Sequence, residues 1–208
     1  MKRDTRTQIL VASLSLFNDN GEPNTTTNDI ANEADISPGN LHYHFNKKSI
    51  LVEALLLEFQ ADVRRVLEPP TGDDVTIEEF WAFLHTLLEV LAVYRFLLRD
   101  METLVATYPK VAHALRGFAK GLTAAMQLYV QALRRSALPT ISDAEVPIVC
   151  RNLVVISLFS ERYDDLCEAP SRADASAMAV ARSVLGILSP YASAEASQLI
   201  AELAEHYD

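Results

Sequence analysis

Glycine is scarce in this chain, six in 208 residues, and cysteine scarcer still, with only Cys150 and Cys167. So few cysteines offer no disulfide framework, and two buried free thiols are expected. Low glycine, with half the residues apolar, excludes collagen-like and low-complexity chains and suits a helical globular protein. No apolar run is long enough to span a membrane, since the nearest, Phe80 to Leu98, is interrupted by His85, Glu89 and Arg95. The N-terminus, MKRDTRTQIL, is basic but has no apolar core segment, so no signal peptide is read and a cytoplasmic location is expected. Positive charge is also lacking. The net charge of −10 argues against an all-over basic footprint for nucleic acid. Its distribution softens that, because residues 1–50 hold five Lys/Arg and six Asp/Glu, leaving −9 to the rest.

Catalytic constellations are lacking as well. Asp73-Asp74, Glu78-Glu79 and Asp164-Asp165 are neighbours in sequence, so each pair diverges instead of converging on one atom. There is no glycine-rich phosphate loop, no C-x-x-C and no H-E-x-x-H. Ser160 and Cys150 have no local partner to activate them. His42 and His44 are two apart, about 200° around a helix, which is poor geometry for sharing a metal ion. No enzyme, cofactor or metal site is expected.

The stretch Thr26–Lys48, TTNDIANEADISPGNLHYHFNKK, reads as helix, tight turn, helix. Thr26 or Thr27 caps the first helix, with Asp29 completing a weak capping box, and Ile30, Ala31 and Ala34 give it a narrow apolar stripe. Asp35 falls at the turn, where it tolerates left-handed backbone angles, and Ile36 plugs it. Ser37 caps the second helix, and Pro38 occupies its first position, where the missing N–H costs nothing. Leu41 and Phe45, four apart, point inward. Gly39, Asn40, His42, Tyr43 and His44 then point outward, with no acid between Ser37 and Phe45 and with Lys47 and Lys48 following. A neutral-to-basic tip carrying an amide able to pair with adenine is what a major-groove recognition helix needs.

These residues resemble a known pattern. Ala34-Asp35-Ile36-Ser37-Pro38-Gly39-Asn40-Leu41-His42-Tyr43-His44-Phe45, then Lys48, is similar to the signature of the TetR family of bacterial transcriptional regulators. That signature runs Thr-Thr, Ile-Ala, Ala-Gly-Val-Ser, Leu-Tyr-x-His-Phe and then Lys. Asp35 stands in place of its turn glycine, and His42 in place of its tyrosine. YRFLLRDMETLVATYP (94–109) and ILSPYASAEASQLIAEL (187–203) resemble, more loosely, the C-terminal domain of one subgroup.

The chain in order supports an all-α fold. A first helix spans 5–20 with Gly21 as its stop, and a long helix runs from Lys47 to Leu67, ending in the linker EPPTGDD. Thr76 with Glu79 caps a helix to about Ala92, and Tyr94–Thr107 continues the helical pattern after an expected kink. Pro109–Ala137, Ser142–Leu166, Ser171 or Asp174 to Leu188, and a last amphipathic helix from Ser193 complete it. The expected domains are a three-helix helix–turn–helix DNA-binding domain, 1–46, and a helical ligand-binding and dimerisation domain, 47–208, with 47–67 as connecting helix.

The resemblance implies a ligand-responsive DNA-binding regulator, a repressor that binds a near-palindromic double-stranded operator as a homodimer and is released by a small-molecule effector. Ser37, Gly39, Asn40, His42 and Tyr43 are the candidates at the base edges, Thr26, Thr27, Tyr43, His44 and Lys48 at phosphates, and Pro38 counts among the DNA-binding residues with no contact type assigned. A ligand pocket is implied in the C-terminal domain, with Phe83, Leu87, Tyr94, Phe118, Leu122, Phe159 and Tyr163 as candidates. The dimer interface is implied on the last long helices, with Leu153, Ile156, Val180, Val184 and Ile187 as candidates beside Val155 and Phe159; each is open to the alternative of filling the chain's own core. Arg95 and Arg99, four apart, are open to holding an anionic group or to pairing with Asp100, Glu102 or another helix. A helical ligand-binding or protein-interaction module that no longer reads DNA stays open beside the regulator.

Overall fold

The computed structural model describes residues 4–69, 75–167 and 173–205. Pro70 and the rest of the expected linker, the Asp73-Asp74 pair and Ser171 lie outside these. Among the described residues there is no strand, and eleven α-helices succeed one another. They are α1 (Thr5–Asn20), α2 (Thr27–Glu33), α3 (Pro38–His44), α4 (Lys48–Val66), α5 (Ile77–Val93), α6 (Phe96–Arg99), α7 (Met101–Thr107), α8 (Pro109–Leu133), α9 (Val146–Cys167), α10 (Ala173–Leu188) and α11 (Ala194–Glu205), with a 3-10 turn at Ser189–Tyr191.

Two compact units form, Met1–Asp62 with Tyr94–Arg116, and Val63–Val93 with Gly117–Asp208. In the first, α2 packs on α1 and α3 over a core of Ile9, Phe17, Ile30, Leu41, Phe45, Leu51, Leu55 and Phe59. Phe17 meets Phe96 at 5.3 Å, and Phe59 meets Tyr94 at 5.5 Å, so the segment from Tyr94 completes the apolar interior behind the helix–turn–helix. In the second, α10 packs on α9 and α5, and α11 on α5, around Phe80, Leu84, Leu87, Leu122, Leu153 and Val184.

Helix ends follow local chemistry. Gly21 closes α1 at φ 90°, its N–H donating to Phe17 O at 3.1 Å, a conformation glycine adopts without steric cost. The Thr76–Glu79 capping box forms in both directions, at 2.9 and 3.2 Å. The 94–107 stretch breaks at Asp100, where the Arg99 and Asp100 side chains engage the end of α1 and the loop after it. The helix from Pro109 stops at Leu133, short of Ala137, because the Leu138 N–H folds back to Leu133 O at 2.8 Å. Ser142 caps a turn with Glu145 before helix begins at Val146. Cys150 is buried, and that burial pushes its thiol up to about 11. Cys167 is exposed, contrary to the expectation of two buried thiols; it falls at the last turn of α9, past the buried part of that helix.

Candidate nucleic-acid interface

The helix–turn–helix is built from its caps. Thr26 Oγ1 accepts from the Asp29 N–H at 3.2 Å, while Asp29 Oδ2 accepts from the Thr26 N–H at 2.8 Å and from its hydroxyl at 2.7 Å. These donors hold the Asp29 carboxyl below its usual range, the hydroxyl contributing most. After α2 the chain closes a Schellman turn, with Ile36 N–H to Ala31 O at 3.0 Å and Asp35 N–H to Asn32 O at 3.1 Å. Asp35 takes the left-handed position at φ 51°, as expected of a residue standing where glycine is usual. Ser37 Oγ then accepts from the Asn40 N–H at 3.2 Å, and Pro38 sits in the first helical turn. Leu41 and Phe45, each 2% exposed, nail the inner face of α3 to the core, stabilising it by roughly 1.5–3 kcal/mol per side chain.

That anchoring leaves a seven-residue helix whose outer face is all solvent. Ser37, Pro38, Gly39, Asn40, His42 and Tyr43 are exposed together, Tyr43 at 84%. His44 is half-buried and meets the Tyr43 ring edge-on at 5.2 Å. A Cβ added at Gly39 would meet only Ser37 Oγ, at 4.0 Å, so nothing inside the protein requires glycine there. Thr26 is exposed and Thr27 half-buried at the start of α2.

Lys48 departs from its expected place at a phosphate. Its Nζ donates to Glu22 O at 2.9 Å and Thr25 O at 3.1 Å, and pairs with Glu22 Oε1 at 3.0 Å. Three N–H donors thus meet three acceptors inside the protein. Sequence inspection missed the rest of this cluster. Glu22, 3% exposed, also accepts from the Tyr108 hydroxyl at 2.6 Å, and its own N–H donates to Asp100 Oδ2 at 2.8 Å. Burial, then the Glu22 hydrogen bond and charge, push the Tyr108 hydroxyl well above its usual range. Arg99 pairs with Asp100 at 3.1 Å and donates to Phe17 O and Asn18 O, and Arg95 pairs with Asp19 at 2.8 Å. Both arginines are therefore structural ties within this unit.

In the second unit the expected pocket residues separate. Leu87 and Leu122 have no exposed surface and are packed core, not cavity lining; Phe118 is buried at 6%. Tyr94 belongs to the first unit, where its hydroxyl donates to Asp62 at 2.8 Å. Phe83 stacks on Tyr129 at 4.4 Å, and both line a concavity of about 380 Å³ with Arg65, Val66, Ala82 and Thr86. Phe159 and Tyr163 instead line an open groove between α9 and α10, with Val155, Ile156, Ala179 and Ser183. Three of the expected dimer residues, Leu153, Val180 and Val184, are 0, 4 and 0% exposed within one chain; they fill its own core and present nothing to a second subunit. Ile156 and Ile187 are half-buried. Among the described residues of α9 and α10 the exposed large apolar side chains are Ile148, Val155, Phe159, Tyr163 and Leu166 on α9 and Met178 on α10. The α9 set repeats at seven, four, four and three residues, which is one helix face.

An all-helical chain with a capped helix–turn–helix and an exposed, acid-free second helix belongs to the class of helix–turn–helix regulators. Residues 9–55 match the family described as "Bacterial regulatory proteins, tetR family", and residues 58–200 match "Bacterial transcriptional repressor". The chain belongs to the TetR family of bacterial transcriptional regulators. It is 38% identical over 69 residues to the HTH-type transcriptional regulator UidR of Escherichia coli K12, 33% of this chain and 35% of that protein. It is 28% identical over 92 residues to the probable HTH-type regulator YttP of Bacillus subtilis, 44% of each. The matches thus span between about a third and under half the length of these relatives. A TetR-family regulator of Marinobacter aquaeolei VT8 superposes at TM-score 0.87 with 29% identity over 98% of both chains. CprB of Streptomyces coelicolor, solved with its operator, shares the fold at TM-score 0.69 and 20% identity, covering 97% of this chain and 95% of that one. No helix among the described residues is long and apolar enough to cross a membrane.

Proposed function

We propose that this protein is a cytoplasmic, ligand-responsive repressor that binds a near-palindromic operator as a homodimer and is released by a small molecule. The observation that carries the DNA-reading part is α3 itself. Its inner face is fixed by Leu41 and Phe45, and its outer face offers Gly39, Asn40, His42 and Tyr43 to solvent without one acidic side chain. Asn40 would pair with an adenine edge, and Gly39 would let the helix backbone approach closely. Two such helices from two copies would enter major grooves about one helical turn apart or somewhat more. The face of α9 bearing Val155, Phe159 and Tyr163 supports the dimer, because contiguous exposed apolar surface marks an interaction site.

The effector is seated at the Phe83–Tyr129 concavity, whose volume and stacked rings suit a small organic molecule. It would act only through a difference in affinity between the DNA-competent and incompetent conformations. Selection of bound duplexes from a random pool by the purified protein tests the reading. A palindromic consensus is expected. A folded protein that enriches no sequence, with or without cell extract added as a source of ligand, points instead to a module that no longer reads DNA.

A further inference from the structure

We infer that Arg6 is a phosphate-binding residue of the DNA interface, with Lys47 its partner, in the place that Lys48 cannot fill. The inference rests on the DNA-binding reading above and specifies which cations serve it. Among the described residues 4–50 the cationic side chains are Arg6, Lys47 and Lys48, and Lys48 spends all three donors inside the protein. Arg6, on the first turn of α1, places its guanidinium carbon 5.2 Å from the centre of the Phe45 ring. Phe45 is the residue that ends α3, so this contact parks a positive charge beside the end of the reading helix. A ring face that is otherwise buried holds the cation in one direction, at an exposed site by about 0.5–1 kcal/mol.

A cation–π contact needs none of the guanidinium N–H groups as hydrogen-bond donors, so the fork that grips a phosphate stays available to Arg6. The first turn of α1 carries no acidic residue; Asp4, before it, is the nearest carboxylate in sequence. Lys47 is exposed two residues beyond Phe45, so the two cations flank the same cap. Arg6 is exposed as well, and replacing it disturbs no core.

The test compares wild type, Arg6→Gln, Arg6→Lys and Lys47→Ala on the duplex obtained by selection, reading affinity against salt from 50 to 200 mM. One phosphate lost per subunit lowers the slope of log K against log salt by about 0.9, hence by about 1.8 for a dimer, or roughly a tenfold smaller loss of affinity over that range. Arg6→Gln and Lys47→Ala are each expected to show this drop while keeping the wild-type preference for the selected sequence over a scrambled one; Arg6→Lys is expected to restore the slope. Asn40→Ala serves as the contrast, with preference lost and slope kept. An unchanged slope in Arg6→Gln, with wild type binding normally, overturns the assignment of Arg6 alone. Failure of wild type to bind any selected duplex overturns the DNA reading, and this inference with it.

Discussion

Gly39 and Lys48 show how differently two residues of the same motif are used. Nothing in the protein opposes a side chain at Gly39, and alanine there would favour helix by about 0.5–1 kcal/mol. The expected outcome for Gly39→Ala is therefore an unchanged or slightly raised melting temperature with operator affinity weakened at least tenfold, because the added methyl meets DNA. Equal affinity in a fluorescence-anisotropy titration would mean that α3 does not approach DNA at this point. Lys48 behaves in the opposite way. Lys48→Met leaves the buried Glu22 carboxylate without its cation, and removing one partner of a buried pair costs about 3–5 kcal/mol. The lysine side chain is 27% exposed, so a loss nearer 2 kcal/mol is expected from the urea unfolding midpoint. The salt slope of DNA binding by the folded fraction should stay at the wild-type value, unlike that of Arg6→Gln.

At the scale of elements, the reading helices are tied to a segment far away in sequence. The loop after α1 offers Glu22, α4 offers Lys48, and the α6–α7 segment offers Asp100 and Tyr108, all joined by hydrogen bonds or ion pairs. A carboxylate 3% exposed is tolerated there because every contact is charge-assisted or donates to it. The raised pKa of Tyr108 sets the sign of a pH effect. The folded protein keeps the phenol protonated where the unfolded chain, near 10.0, begins to lose its proton. Stability from this group is thus complete below about pH 10 and declines as pH rises through the higher folded value. Tyr108→Phe is expected to be less stable than wild type by about 1.5–3 kcal/mol at pH 7, and the gap should narrow above pH 10. A gap that stays constant to pH 11 in parallel denaturant titrations would mean that the tyrosine ionises equally in both states. This network also marks the limit of sequence reading. Thr26, Asp35, Ser37 and the Thr76–Glu79 box act over one to four residues and were legible as caps. Glu22 and Tyr108 stand 86 residues apart, and no local pattern joins them. Arg95 and Arg99 were legible only as alternatives, and the end of α1 decides between them.

Across the whole molecule, the apolar pattern of α9 and α10 left one ambiguity that burial resolves. A helix with apolar residues on two faces reads the same whether one face meets its own chain or a second one. Leu153, Val180 and Val184 are the inner face, and the run Ile148, Val155, Phe159, Tyr163, Leu166 is the outer one; the sequence names Val155 and Phe159 among the dimer candidates, but not Ile148, Tyr163 or Leu166. Ala179, Ser183 and Gly186, exposed along α10 at intervals of four and three, leave room for a neighbouring helix to come close. If this face joins two copies about a two-fold axis, every substitution in it appears twice and near its own image. Val155→Glu with Tyr163→Glu then places four carboxylates in a desolvated apolar interface, whereas in an isolated chain both sites are 46 and 67% exposed and accept charge readily. The double variant is expected to keep its helical circular dichroism, to sediment as a monomer where wild type sediments as a dimer, and to lose operator affinity by roughly a hundredfold or more, since the two heads no longer bind as one. A variant that still sediments as a dimer moves the interface off this face. A monomer with full operator affinity removes the two-headed reading of the operator, because a single α3 with Arg6 and Lys47 would then suffice.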